Sequence, residues 1–301
     1  MLTLSSSPVL YPLTDRAVIS LTGADRTKYL QGQVTCDVDL LQPGDATLSG
    51  HCDSKGRLWA CFWLANLGEQ LLLVLNASLL ERQLSELKKF AVFAKTEVQA
   101  VTEQWQVFGL AGEGLSHWLD QHLEGSDNLW QGGVVIPVAA EHALLVLPAN
   151  ATPPALPIGN ESDWRGLMIQ AGLPDMQAEH QGEYIPQMLN LQALGGISFT
   201  KGCYLGQETV ARAKYRGANK KAMFVLAGQA TQPIPAKQDL ELQLGENWRR
   251  AGTVLSVYQD GDQCLLTSVL NNDLEADAVL RIKGQDDSRL SLQALPYTLI
   301  E

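Results

Sequence analysis

A cysteine in a basic, glycine-containing segment is the residue of this chain whose surroundings most favour chemistry. Cys203 lies within 201–208, Lys-Gly-Cys-Tyr-Leu-Gly-Gln-Glu, with Lys201 two residues before it and Tyr204 directly after it. A nearby ammonium and the positive end of a helix both lower the pKa of a thiol, and we predict a helix over 208–214. The segment therefore indicates a reactive thiol, the alternative being a buried cysteine that packs as a small hydrophobe.

The residues around this thiol are basic, although the chain as a whole is acidic. The window 201–221 contains six Lys and Arg residues and one Glu, whereas the chain has 22 basic and 33 acidic residues and a formal net charge of −11. One basic patch on an acidic protein suggests a specific anionic ligand, because non-specific nucleic-acid binding normally needs a broad basic surface. The alternative is a solvated basic face.

The composition is typical of a globular protein with 301 residues and 46% hydrophobic content. We find no apolar run of the ~20 residues that span a membrane and no basic start typical of a signal peptide, so we expect a cytoplasmic protein without a membrane partner. The five cysteines are odd in number and lack a C-x-x-C pair, which disfavours a disulfide framework and a structural zinc site. We therefore expect reduced thiols and no metal site.

The elements that would position the thiol follow from the hydrophobic pattern. A strand is predicted over 17–21, and the apolar runs 58–64 and 71–75 are separated by an Asn-Leu-Gly turn, as in a hairpin. Ser78 and Glu81 have the spacing of a capping box and predict the start of the next helix. Such alternation favours α+β subdomains.

The second half of the chain changes character twice. The proline-rich segment 152–157 breaks regular structure, and residues 161–163 are predicted to cap a helix that contains Trp164. From residue 222 the pattern becomes short strands separated by turn signals, predicted over 223–226, 253–258, 265–270 and 279–282. This pattern predicts a small antiparallel barrel or sandwich of about 80 residues.

A resemblance to a known family is carried by the segment 190–220. It reads Asn-Leu-Gln-Ala-Leu-Gly-Gly-Ile-Ser-Phe-Thr-Lys-Gly-Cys-Tyr-Leu-Gly-Gln-Glu-Thr-Val-Ala-Arg-Ala-Lys-Tyr-Arg-Gly-Ala-Asn-Lys and resembles the signature of the bacterial YgfZ proteins. Residues 51–56, 86–90, 245–250 and 271–273 also look like that family, so the resemblance covers the whole chain. These proteins are described as folate-binding and tRNA-modifying, with links to tRNA thiolation and to the upkeep of iron–sulfur enzymes.

The family is similar in fold to the glycine-cleavage T-protein, a tetrahydrofolate-dependent aminomethyltransferase. The resemblance implies an α+β fold arranged as a T-protein-like ring of three subdomains. Two ferredoxin-like α+β subdomains would interleave within a folate-binding region, 1–220, with a junction near 150–160. A C-terminal antiparallel β-barrel would occupy 221–301.

The resemblance also implies residues for tetrahydrofolate or a derivative. Trp164 matches a folate-contacting Trp of the family, and its alternative role is that of a core aromatic. Arg16 occupies the position of the second folate-contacting aromatic, where an Arg can stack on a pterin or pair with a glutamate tail. Gln207 and Glu208 are candidates for the pterin edge, or else for capping the following helix.

The match to the T-protein fails at its acidic pair. The corresponding positions here are Trp59 and Ala60, and neither can accept a proton or bind an ammonium. Aminomethyl transfer is therefore not expected, and whether the protein is an enzyme stays open.

Three functional hypotheses follow. The first is a folate-binding accessory protein that acts in iron–sulfur cluster maintenance and, directly or indirectly, in tRNA modification through Cys203 and Lys201, with iron–sulfur enzymes or assembly proteins as partners. The second is a folate-dependent one-carbon transferase with an unknown substrate. The third is an RNA-binding or scaffold module that uses the basic stretch 212–221, with tRNA as its partner.

Overall fold

The computed structural model describes residues 2–123, 127–217 and 219–299, which contain sixteen strands and five α-helices. The strands in chain order are β1 (Val9–Pro12), β2 (Arg16–Thr22), β3 (Ala46–Cys52), β4 (Leu58–Asn66), β5 (Leu71–Asn76), β6 (Glu97–Ala100), β7 (Trp105–Ala111), β8 (Leu129–Trp130), β9 (Gly133–Ala139), β10 (His142–Pro148), β11 (Lys221–Gln229), β12 (Asp239–Leu244), β13 (Asn247–Asp260), β14 (Gln263–Asn271), β15 (Val279–Ile282) and β16 (Arg289–Gln293). The helices are α1 (Arg26–Gln31), α2 (Leu80–Ala91), α3 (Leu115–His122), α4 (Glu161–Gln170) and α5 (Gln207–Tyr215). Short 3-10 helices lie at Val38–Leu40, Ala77–Leu79, Thr102–Gln104, Ala178–His180 and Pro186–Leu189.

The strands form two five-stranded sheets and one closed barrel. The first sheet has the order β3-β4-β5-β2-β6 and the second β1-β7-β10-β9-β8, so the N-terminal strand β1 crosses over to join the second sheet. The barrel follows the order β11-β14-β13-β12-β15-β16 and closes because β11 also pairs antiparallel with β16. This architecture confirms the α+β class with a C-terminal antiparallel barrel, while the predicted subdomain boundaries stay a prediction.

The two sheets share a hydrophobic core, as the alternation in β5 shows. Successive strand residues point to opposite faces. Leu72 and Val74 pack in a cluster that also contains Ile136 of β9, between the sheets. Leu73 packs in another cluster, together with Tyr204 of the thiol segment. The first sheet is therefore buried on both faces and separates the intersheet core from the thiol segment.

Helix α4 links the intersheet core to the barrel. Trp164 belongs to the intersheet cluster, whereas Ile169 packs with Val225 and Leu265 of the barrel. The Tyr258 hydroxyl on β13 donates to Asp163 Oδ1 at 3.2 Å. One helix thereby fixes the barrel against the sheets.

The predicted hairpin is confirmed, but two predicted caps are wrong. Strands β4 and β5 pair antiparallel as expected. In place of the Ser78 capping box, a 3-10 turn precedes α2, and the Asn76 side chain accepts from the Ser78 N–H at 3.1 Å. Helix α4 is capped by Asn160, whose Oδ1 accepts from the Asp163 N–H at 2.8 Å. Asn is as good an N-cap as Ser or Asp. In both places an Asn that precedes the predicted cap accepts the hydrogen bond from a backbone N–H of the first turn.

Within the described ranges, no helix combines the length and the apolar character needed to cross a bilayer.

Candidate functional site

The thiol segment is anchored by backbone contacts to the turns that follow α1 and β3. The Leu205 N–H donates to the carbonyl oxygen of Gly32, the residue that ends α1, at 3.1 Å. Gly206 is the N-cap of α5 and has φ +83°, and a Cβ there would lie 2.5 Å from the Asp53 carbonyl oxygen. A side chain is excluded at this position both by the positive φ and by the close approach of the 53–56 turn. The loop that carries Cys203 is therefore fixed at its C-terminal end.

Lys201 fixes the same loop from its other end. Its ammonium donates to the carbonyl oxygens of Val34 at 2.9 Å and Cys36 at 2.5 Å, and it lies 5.2 Å from the centre of the Tyr204 ring. The residue is only 8% exposed, and burial lowers its pKa. The contacts of this ammonium are thus directed into the protein, which makes Lys201 a structural residue. Tuning of the Cys203 thiol by Lys201 stays a prediction.

Cys203 differs from the four other cysteines in exposure. It is exposed, whereas Cys36, Cys52, Cys61 and Cys264 are buried. Burial raises the pKa of Cys36 and Cys264 to about 11, that of Cys61 to about 12, and that of Cys52 further. Thiolates react and thiols do not, so among the five cysteines Cys203 is the one accessible to a reactant.

The residues next to Cys203 fall on different sides of the loop. The Tyr204 side chain is 7% exposed and packs in the core, where burial raises the pKa of its phenol. Gln207 and Glu208 lie in the first turn of α5. The Glu208 carboxylate is exposed and pairs with Arg212 one turn later, at 2.5 Å. The surface around the thiol is therefore formed by the start of α5, and Tyr204 supports it from below.

Arg16 and Trp164, which are 148 positions apart in the sequence, line one cavity of about 40 Å³ between the sheets and the barrel. Its other lining residues include Trp63, Leu144 and Ser256. Gln207 and Glu208, although both described, are not among them. The predicted folate residues therefore separate into a pair at this cavity and a pair beside the thiol.

Trp164 is a core side chain in this conformation. It is 2% exposed, and its ring centre lies 5.8 Å from that of Tyr11. A Cβ added at Gly109 would lie 2.3 Å from the Trp164 ring, so the glycine leaves room for the indole. The tryptophan thus fills a shaped space between α4 and the second sheet.

Two carboxylates that the sequence did not single out engage Arg16. Its two terminal nitrogens donate to the two oxygens of Asp175, each at 2.8 Å, and its Nε lies 3.0 Å from Asp15 Oδ1. Burial raises the pKa of the Asp15 carboxyl to about 6 although the Arg16 charge opposes the shift. The Glu161 pKa is lowered: burial acts to raise it, but N–H donors from Asp15 and Thr14 outweigh that effect. Asp175 carries no local signal in the sequence, because it meets Arg16 only through the fold.

A pterin does not fit this cavity as it stands. Its volume of about 40 Å³ is close to the ~30 Å³ share of a single water molecule in the liquid, and ligand pockets usually measure about 300–1,000 Å³. Both terminal nitrogens of Arg16 already donate to Asp175, and its Nε lies 3.0 Å from Asp15 Oδ1 without the geometry of a hydrogen bond. Folate binding at this place therefore requires side chains of α4 or of the sheets to move.

The positions of the missing acidic pair lie in β4. Ala60 is fully buried in the core, and the Trp59 ring lies under the Arg82 guanidinium, 4.4 Å from its Cζ. No carboxylate replaces the pair at these two positions, so they offer neither a base nor an anionic group to an amine.

Comparison with known proteins identifies relatives along the whole chain. Residues 219–287 match the family model described as the YgfZ β-barrel domain. A tRNA-modifying protein YgfZ from Yersinia pestis (strain Pestoides F) is 44% identical over 308 residues, covering 97% of this chain and 93% of the relative. A tRNA-modifying protein YgfZ from Yersinia enterocolitica is 43% identical over 318 residues, covering all of this chain and 96% of the relative.

The fold also has a solved counterpart. The glycine cleavage system aminomethyltransferase T from Bartonella henselae superimposes with a TM-score of 0.71 at 18% identity, covering 97% of this chain and 87% of that one. This likeness confirms the T-protein-like fold that the sequence predicts. With the 44% identity over nearly its full length, the chain belongs to the YgfZ family.

Proposed function

We propose that this protein is an accessory protein of tRNA modification that acts through the thiol of Cys203 in the cytoplasm. Relatives named tRNA-modifying protein YgfZ match it over nearly the full length of both chains. The observation that carries the proposal is the exposure of Cys203 on a loop fixed at both ends, while the other four thiols are buried. Such a loop presents one sulfur at a constant place to a partner or substrate.

The thiol is tested first by alkylation of the folded protein. Iodoacetamide should modify one cysteine in the wild type, none in Cys203→Ser, and still one in the buried-site control Cys264→Ala, as read by intact mass. Unfolded in urea, the wild type should take up five equivalents, one for each cysteine. Modification of a buried cysteine at the same rate as Cys203 in the folded protein would contradict the assignment.

The cellular role is tested in a bacterial host that lacks its own member of the family. Cys203→Ala should fail to restore thiolated tRNA nucleosides, measured by mass spectrometry of digested tRNA, whereas Cys264→Ala should restore them. Full restoration by Cys203→Ala would remove the thiol from the proposal.

We further propose that the effect on tRNA runs through the maintenance of iron–sulfur enzymes. Under this proposal, modifications made by iron–sulfur enzymes should fall in the Cys203→Ala strain, together with the activity of an iron–sulfur enzyme that does not act on tRNA. Modifications made by enzymes without clusters should not change. A loss confined to tRNA modifications, whatever the enzyme, would instead indicate a direct role on tRNA.

A reduced folate, tetrahydrofolate or a derivative, is the ligand that we propose for the cavity lined by Arg16 and Trp164. The T-protein-like fold supports this proposal, and the cavity must widen for it. Calorimetric titration with tetrahydrofolate and 5-formyl-tetrahydrofolate should show binding to the wild type, weakened in Arg16→Lys and Trp164→Phe. Trp118→Phe, which changes a Trp outside the cavity lining, is the control. Equal binding by all four proteins would place folate elsewhere.

The one-carbon transferase is the alternative that the cavity partly supports. It needs a carboxylate to replace the missing pair, and Asp175 lines the cavity. Both oxygens of Asp175 accept from Arg16, so this carboxylate is not available to orient an amine while the pair is intact. We therefore expect no folate-dependent turnover of amines. Turnover that Asp175→Asn abolishes would establish the alternative.

A further inference from the structure

A second, much larger cavity lies at the C-terminal end of α5. Its volume is about 640 Å³, which is within the usual range for small-molecule sites. It is bounded by residues 187–199, by the last turn of α5 and by the chain that enters β11. It is separate from the cavity beside Trp164, because the two share no lining residue in the described part of the chain.

The charge of this cavity is opposite to that of the chain. Lys214, Lys220 and Lys221 line it, and no acidic residue is among the described residues of its wall. None of these three lysines lies within 4 Å of a carboxylate in the ranges 2–123, 127–217 and 219–299. Three ammonium groups without a carboxylate partner among the described residues, on a protein of net charge −11, form a local site for an anion.

An aromatic surface stands beside the lysines. Phe199 lines the cavity, with the Lys214 ammonium 3.8 Å from its ring centre. Tyr215 meets Phe199 edge-on, with ring centres 6.4 Å apart, and is 68% exposed. Exposed aromatic faces next to cations are the feature on which proteins stack nucleic-acid bases.

The wall also carries acceptors without donors. Gln187 is only 5% exposed, and its Nε2 donates to the Val210 carbonyl oxygen at 2.6 Å, which fixes the orientation of the amide. Its Oε1 has no hydrogen-bond partner among the described residues, and neither has Oε1 of Gln192. Both residues line the cavity. Each of these oxygens has almost no accessible surface, so neither contacts a ligand in the cavity unless the wall rearranges.

We propose that this cavity binds a nucleotide, either free or as part of a single-stranded RNA. The lysines receive the phosphates, and the aromatic pair beside them receives the base. Helix α5 spans about 12 Å from Gln207 to Tyr215, at ~1.5 Å per residue, and connects this cavity to the loop of Cys203. The site is thus independent of the proposed folate cavity but fixed relative to the thiol.

The test is a calorimetric titration with the four nucleoside 5′-monophosphates and with oligoribonucleotides of about eight nucleotides, a length within the usual site size. The double variant Lys214→Ala/Lys221→Ala should weaken binding about tenfold or more. For the oligonucleotide, the same variant should make the slope of log K against log salt less steep by about 1.4, because two phosphate contacts on a single strand are lost. The control Lys28→Ala with Lys88→Ala removes the same charge from exposed lysines outside this cavity lining and should bind as the wild type does.

Recognition of the base is tested separately from recognition of phosphate. Phe199→Leu should weaken nucleotide binding several-fold without changing the affinity for pyrophosphate. Binding of monophosphates would identify a free nucleotide as sufficient, and binding of the oligonucleotide alone would identify RNA; both support the proposal. Three results would overturn the proposal. The first is that pyrophosphate binds as tightly as every nucleotide, and the second is that both double lysine variants lose equal affinity. The third is that tetrahydrofolate is the only ligand whose binding the Lys214 and Lys221 changes affect. None of these outcomes depends on folate binding at Arg16.

Discussion

The substitution Lys201→Met separates the two roles that this lysine can have. If the ammonium serves to stabilise a thiolate at Cys203, its removal should slow thiol chemistry and leave the fold intact. If it serves as a structural bridge, its removal should destabilise the loop. The contacts favour the second role, because the ammonium donates to the carbonyl oxygens of Val34 and Cys36.

The magnitude follows from those contacts. Hydrogen bonds to a charged group contribute about 1.5–3 kcal/mol each, so the two bonds of Lys201 are worth about 3–6 kcal/mol, with about 0.5–1 kcal/mol more from the Tyr204 ring. Burial of the ammonium, which lowers the pKa of Lys201, offsets part of this gain. We expect Lys201→Met to lower the free energy of unfolding by about 2–4 kcal/mol, a large share of the usual 5–15 kcal/mol.

Two measurements on the same protein decide between the roles. Urea unfolding gives the free energy of unfolding, and iodoacetamide alkylation of the folded protein between pH 6 and 9 gives the ionisation of the Cys203 thiol. The control is Lys28→Met, an exposed lysine on α1, which should change stability by less than ~0.5 kcal/mol. The conservative change Lys201→Arg keeps a donor and should lose less stability than methionine does.

The result that would refute the structural role is specific. Unchanged stability of Lys201→Met, with alkylation slowed at neutral pH and the thiol pKa raised, would show that the charge acts on Cys203. Lower stability with an unchanged or faster alkylation rate would support the bridge.

Two further predictions concern the thiol loop and the Arg16 cluster. Gly206→Ala should destabilise the protein by about 1–3 kcal/mol in urea unfolding, because φ is +83° and a Cβ there would lie 2.5 Å from a backbone oxygen. The control Gly202→Ala, where a Cβ meets no atom within 4 Å, should cost under ~1 kcal/mol. Equal effects of the two changes would contradict the packing argument. Burial raises the Asp15 pKa to about 6 from an ordinary 3.8, so the folded state binds this proton more tightly than the unfolded state. Ionisation therefore destabilises the folded state as pH rises from about 4 to above 6, by at most about 3 kcal/mol at 1.36 kcal/mol per pKa unit. In urea unfolding across this range, the stability of the wild type relative to Asp15→Asn should fall with rising pH, and a rising or flat difference would contradict the shift.

Local patterns predicted the elements well where a strand or turn depends on its own residues. The hairpin of β4 and β5 and four of the six barrel strands, β11, β13, β14 and β15, follow from apolar runs and turn signals. Strands β12 and β16 were not predicted. Each alternates leucine with polar residues and so lacks a continuous apolar run.

The candidate sites were predicted less completely. The sequence singled out Arg16 and Trp164 through the family resemblance, and the fold brings both to one cavity. The sequence did not reveal that the Arg16 guanidinium donates to the Asp175 carboxylate, since the two residues are 159 positions apart. Nor could the basic stretch reveal that Gln187 and Phe199 line the same cavity as its lysines.

The sequence by itself determined the composition of the thiol segment, the basic stretch that follows it, the α+β class, the terminal barrel and the family. These depend on residue type and on short-range spacing, which physical chemistry connects directly to turns, strands and local charge. Only the tertiary structure decided which of the five thiols is exposed and that the ammonium of Lys201 is turned toward Val34 and Cys36. It also decided that the space beside Trp164 is filled while the one beside Lys214 is open. Burial, direction of a side chain and cavity volume depend on contacts between residues far apart in the chain, and those distances are set by packing of the sheets, α4 and the barrel together.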